Sequence, residues 1–134
     1  MPPSLDFASQ AIRGAVFYLT AVEFRDKAKP KYCVLLEDYT PRANLLIVCL
    51  TTSRMEFRGY PSSVELPAKT VPGMPLDSII QVDNWTEIDS DYLLCKKTSR
   101  YLGRLPEDKL KEVNRAILDV MADEFIFYRI APPH

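Results

Sequence analysis

The chain strings together short apolar runs separated by charged or proline-bearing connections, and a helical repeat occurs only once, near its end. Residues 15–21, 32–36 and 45–51 are rich in β-branched and aromatic side chains and too short for buried helices, so each reads as a strand. Residues 63–66 alternate as a short strand does. Residues 78–82 form another, and 84–88 continue near it. The character of 92–95 is less defined. Residues 23–30 and 52–61 are charged loops, and 67–75, with three prolines and Gly73, is a connection.

The single helix begins at Pro106, where proline is tolerated, with Glu107 and Asp108 at the positive end of the helix dipole. Leu110, Val113, Ile117, Val120 and Met121 recur at helical spacing and share one face. Lys109, Lys111, Glu112, Arg115 and Asp119 point elsewhere. Residues 125–130 are apolar and aromatic, either a last strand or a packed tail. Many short strands with one late helix predict a mainly β fold, a small barrel or a sandwich. The 134 residues fit one domain, 1–134, with an N-terminal arm at 1–12 and a C-terminal tail at 125–134.

Composition removes several function classes. Seventeen basic against 18 acidic residues leave a net charge of -1, so any nucleic-acid surface must be a local patch. The cysteines are Cys33, Cys49 and Cys95, isolated and odd in number, which argues for free thiols in a reducing compartment. The only histidine is His134. A histidine-based catalytic site or a His/Cys metal cluster is therefore not expected. The longest apolar stretch, 43–50, is too short to span a bilayer. Residues 1–10 contain Asp6 and lack a basic start followed by an apolar run, so they do not read as a signal peptide. A cytoplasmic location is the default expectation.

Four local features carry chemistry. Arg25, Lys27, Lys29 and Lys31 place four cations within seven residues, either a phosphate-binding loop or a solvated face beside Glu23 and Asp26. Thr51, Thr52 and Ser53 close the third strand with three hydroxyls. Arg54 and Arg58 flank Met55 and Phe57, an interleaving that suits a nucleic-acid groove or a bound peptide and is equally common in exposed loops. Lys96, Lys97, Arg100 and Arg104 near Tyr101 read as a solvated face.

Several segments, in order, resemble the MazF/PemK toxin family within the wider CcdB/Kid/MazF group. They are GAVFYLT at 14–20, KPKYCVLL at 29–36, LIVCLTTS at 46–53, MPLDSIIQVDNWTEIDSDYL at 74–93 and YLGRLPEDKLKEVNRAIL at 101–118. The resemblance runs from Gly14 to about Leu118. It implies an SH3-like barrel with a C-terminal helix, a homodimer, and a toxin of a type II toxin-antitoxin pair that binds a cognate antitoxin peptide. It also implies metal-independent, cofactor-free cleavage of single-stranded RNA through attack by the ribose 2′-hydroxyl. That chemistry needs orientation and charge stabilisation more than a metal or a histidine.

On this resemblance Thr51, Lys29 and Arg25 are the catalytic candidates. Lys27, Lys31, Thr52, Ser53, Arg54, Arg58 and Glu87 are candidates for RNA binding. The plain alternative for Thr51 is a strand-end hydroxyl bonding the next turn. Lys29 stands before Pro30 where the family usually has arginine, which keeps the charge and loses the planar fork. The family's second arginine position is occupied by Thr86. Glu87 beside it is either a base or a group that repels phosphate. Trp85 reads as a core or interface residue rather than a base-stacking platform. These departures keep two alternatives open: a catalytically impaired module that binds RNA or a protein, and a CcdB-like gyrase-binding toxin on the same fold.

Overall fold

Strands covered on both faces show continuous apolar runs instead of alternation, and that is how β1 to β3 are built. The computed structural model describes residues 5–20 and 31–132. Its strands are β1 (Ala15–Leu19), β2 (Lys31–Leu35), β3 (Leu45–Thr52), β4 (Ser63–Leu66), β5 (Ser78–Asp89) and β6 (Ser99–Arg104). Helices are α1 (Ser90–Leu93), α2 (Glu107–Val120) and α3 (Phe127–Ile130). The strands form one antiparallel sheet in the order β4-β5-β3-β2-β1-β6. The sheet curls into an open barrel, the mainly β architecture expected from the sequence.

Successive side chains on the central strands enter two different apolar layers. Val16, Val34, Ile47 and Cys49 join Val64, Leu66, Ile80 and Val82 on one face. Leu110, Val113, Ala116 and Ile117 of α2 cover that face, with Ile126 and Ile130 from the tail. Burying each large aliphatic side chain contributes roughly 1.5–3 kcal/mol. Phe17, Leu19, Cys33, Leu35, Leu46 and Val48 point the other way. There they meet Leu93, Leu94 and the N-terminal Leu5, Phe7 and Ala11. Cys33 and Cys49 are free and fully buried, and burial pushes the Cys33 thiol up to about 12 and Cys49 higher still.

Two register breaks shape the sheet. Cys49 pairs with Trp85 but the next residue, Leu50, pairs with Gln81, so residues 82–84 are extra on β5. The two segments read from the sequence at 78–82 and 84–88 are thus one strand with a bulge, and the bulge bends it. A second break lies between Val16 and Phe17, opposite β6. Gly14, with φ +90°, turns the chain into β1 where an added Cβ would lie 3.1 Å from Leu110 Cδ1.

Two elements differ from the sequence expectation. Residues 99–104, taken as part of a solvated basic cluster, form edge strand β6 on β1. Arg100 and Arg104 are still exposed, as edge charges commonly are. Residues 125–130 are a packed tail and not a strand: Ile126 and Ile130 are buried, and 127–130 make one helical turn. Among the described residues no helix is long and apolar enough to cross a membrane.

Candidate functional site

The end of β3 and the start of β2 lie side by side, because Cys33 pairs with Leu50. That register brings Thr51, Thr52 and Ser53 beside Lys31 and Tyr32. Residues 74–78, running into β5, form the facing wall. Between them is an open groove of about 410 Å³ lined by Lys31, Tyr32, Thr51, Thr52, Ser53, Arg54, Met74, Pro75, Leu76 and Ser78. Both charged residues in this lining are cationic, in a protein whose net charge is -1.

Each wall is held by specific bonds. The Thr51 hydroxyl is half-buried and donates to the Tyr32 carbonyl at 3.3 Å, long for a bond between oxygens and therefore easily exchanged for a better acceptor. The Thr52 hydroxyl accepts the Arg54 backbone N–H at 3.2 Å and fixes the turn after β3. Arg54 pairs with Glu56, and its guanidinium sits 5.3 Å from the centre of the Phe57 ring. Across the groove the Tyr32 hydroxyl donates to the Gly73 carbonyl at 3.3 Å. Gly73 has φ +85°, and a Cβ there would meet Leu102 Cδ2 at 3.0 Å, so the wall's turn requires glycine.

Five of the residues singled out in the sequence therefore share one groove: Thr51, Lys31, Thr52, Ser53 and Arg54. Arg25, Lys27 and Lys29 lie outside the described residues. Arg58 lines a neighbouring cleft of about 250 Å³ with Glu65, Asp77 and Lys109, and Ser78 belongs to both cavities.

Glu87 is in neither cavity. It pairs with Ile47, toward the far end of β3, and receives Arg129 Nη1 at 3.2 Å. Arg129 also donates to Glu37 at 2.7 and 3.3 Å and to the Leu45 carbonyl at 3.1 Å. Glu37 in turn accepts the Ile47 N–H at 2.7 Å. Burial alone would lower the Arg129 pKa, but Glu37 and then Glu87 outweigh it and leave it raised. Glu87 is engaged in this clasp, so it is placed neither as a base for the groove nor as a ligand in it. Trp85 is partly buried against the core and meets Phe125 edge-on at 5.7 Å, which makes it a packing residue.

The facing wall was not singled out from the sequence. Met74, Pro75 and Leu76 lie in a proline-rich connection, where nothing local marks a ligand surface. Tyr32 reads as one more apolar residue of a strand. Among the described residues no group of three or more His, Cys, Asp or Glu is arranged to hold a metal ion.

An open antiparallel barrel with one long helix thus carries a hydroxyl-and-cation groove at one end. The sequence pattern of one family, described as PemK-like, MazF-like toxin of type II toxin-antitoxin system, matches residues 12–121, and this chain belongs to that family. Solved structures agree on the fold. A MazE-MazF complex from Deinococcus radiodurans is 23% identical, with a TM-score of 0.59 over 83% of this chain and 94% of that one. An endoribonuclease in complex with its cognate antitoxin, from a mycobacterial species, is 16% identical, with a TM-score of 0.60 over 85% of this chain and 97% of that one. The Mycobacterium tuberculosis toxin MazF-mt6 is 20% identical, with a TM-score of 0.57 over 78% of this chain and 94% of that one. No curated protein matches the sequence significantly.

Proposed function

We propose that this toxin-family protein is an endoribonuclease that cleaves single-stranded RNA without a metal, by directing a ribose 2′-hydroxyl at the adjacent phosphodiester. One observation carries the reading: Thr51, Thr52 and Ser53 line the same groove as Lys31 and Arg54, and among the described residues no carboxylate lines it with them. A phosphodiester needs hydrogen-bond donors and positive charge of this kind, and an RNA strand brings its own nucleophile. Thr51 would turn its proton from the Tyr32 carbonyl to a phosphate oxygen. Lys31 and Arg54 would offset the charge that builds on the phosphorus oxygens.

Arg25 and Lys29 are the remaining catalytic candidates. Arginine and lysine side chains ordinarily carry their proton at neutral pH and so are poor proton acceptors. Most of the acceleration in this mechanism therefore comes from orientation and charge stabilisation. One similar structure is a MazE-MazF complex and another an endoribonuclease with its cognate antitoxin, which supports an antitoxin peptide as a partner of this chain as well. In this reading the protein works as a homodimer in the cytoplasm.

Incubation of the purified protein with a long RNA in EDTA tests the activity. Fragments ending in a 2′,3′-cyclic phosphate are expected, and intact RNA at every protein concentration would overturn the reading. One observation favours a second reading, a non-catalytic RNA-binding module: the described lining holds no histidine and no carboxylate to move a proton. That module would bind the RNA in the same experiment and leave it uncut.

A further inference from the structure

The two walls of the groove differ in chemistry. One carries hydroxyls and cations. The other, at Met74–Leu76, is apolar, and there Leu76 is 61% exposed. An isolated exposed leucine is ordinary. This one is fixed in place and faces a polar groove. Its carbonyl accepts the Ser78 hydroxyl at 3.2 Å, and the next residue, Asp77, accepts the Ala68 N–H at 2.7 Å. Lys69 N–H bonds the Met74 carbonyl at 2.9 Å, closing the connection on itself. Leu76 is thus held outward on a braced loop.

Tyr32 joins the two walls. Its carbonyl accepts the Thr51 hydroxyl, and its own hydroxyl donates to Gly73, the residue before Met74. Its ring packs on Tyr18 with centres 4.9 Å apart, which fixes its direction. One residue therefore bridges the two walls, bonding the hydroxyl wall through its carbonyl and the apolar wall through its hydroxyl.

We propose that the Pro75–Leu76 wall is a nucleobase platform: an unstacked base of single-stranded RNA lies flat against it while its phosphate faces Thr51, Lys31 and Arg54, and Tyr32 is the positioning residue that sets the spacing. The inference rests on the ribonuclease reading and assigns the base side of the same groove. An apolar shelf rewards burial of any base face without reading its hydrogen-bonding edge. At this position the protein therefore requires a base and discriminates weakly among bases.

The test uses the full chain and two short strands of 2′-O-methyl ribose, which lack the attacking hydroxyl and cannot be cut. One strand bears uracil at every position and the other is abasic throughout. Fluorescence anisotropy is expected to give about tenfold tighter binding for the base-bearing strand, the scale of burying one face of a base. Leu76→Ser should shrink that ratio to about twofold while leaving affinity for the abasic strand unchanged. Tyr32→Phe keeps the ring and loses the bond to Gly73, so it should also shrink the ratio, with circular dichroism and Tm confirming the fold. Equal binding of both strands to the unmodified protein, or a ratio that survives Leu76→Ser, overturns the platform and leaves the phosphate wall standing. A ratio unchanged in Tyr32→Phe removes the spacing role. Failure of both strands to bind overturns the ribonuclease reading together with the platform.

Discussion

The two ends of β3 make an instructive contrast. At the Leu45 end, Arg129 spends its guanidinium on Glu37, Glu87 and the Leu45 carbonyl, and Glu37 is closed by the Ile47 N–H. At the Thr52 end, hydroxyls and cations line an open groove whose described lining contains no carboxylate. Both ends gather charged and polar residues. The first is a closed network that fastens the C-terminal tail to the sheet. The second presents its polar groups at an open surface, where even the Arg54–Glu56 pair is solvent-exposed, which is what a ligand needs. Charge density alone does not separate the two, whereas the closing of one network on itself does.

Substitutions at each end should therefore produce opposite kinds of loss. The largest effect is expected from Thr51→Val, which keeps the shape and removes the hydroxyl. RNA cleavage should fall by about two orders of magnitude, the usual result of deleting one transition-state donor, with Tm almost unchanged. Cleavage within a few-fold of the original would remove Thr51 from the mechanism.

At the other end, Arg129→Ala leaves Glu37 and Glu87 without their cation. The pair is partly exposed, so the expected loss is about 1–3 kcal/mol, less than for a fully buried pair. Chemical denaturation should show it as an earlier midpoint, while cleavage at a temperature where the variant is folded stays intact. A stable variant with impaired cleavage would erase the contrast and tie the clasp to the groove.

The smallest effect concerns Lys31 and Arg54. Changing either to glutamine should weaken RNA binding and lower the slope of log affinity against log salt by roughly 0.7 for each phosphate left without its cation. An unaltered slope in both variants would show that neither cation meets the backbone.

Much of the fold was legible because its signals are local. Continuous apolar runs marked β1, β2 and β3, and the spacing of Leu110, Val113 and Ile117 marked α2. Edge strand β6 was not, since Arg100, Gly103 and Arg104 carry no strand signature of their own, and pairing with β1 makes the strand. The hydroxyls at the end of β3 could be picked out along the chain. Their apolar counterpart at 74–76 could not, because a proline-rich connection becomes a wall only when another part of the chain faces it.

The order of apolar and polar residues therefore determined β1 to β5 and α2, which follow from burial patterns along the chain, while residue motifs carried the family and the hydroxyls on one side of the groove. Tertiary structure alone decided that Glu87 belongs to Arg129 and that Leu76 shares a groove with Thr51. The physical reason is that satisfaction of a charge, and the closing of a cavity, depend on groups far apart in sequence, as Arg129 and Glu37 are, and no local pattern encodes which of them will meet.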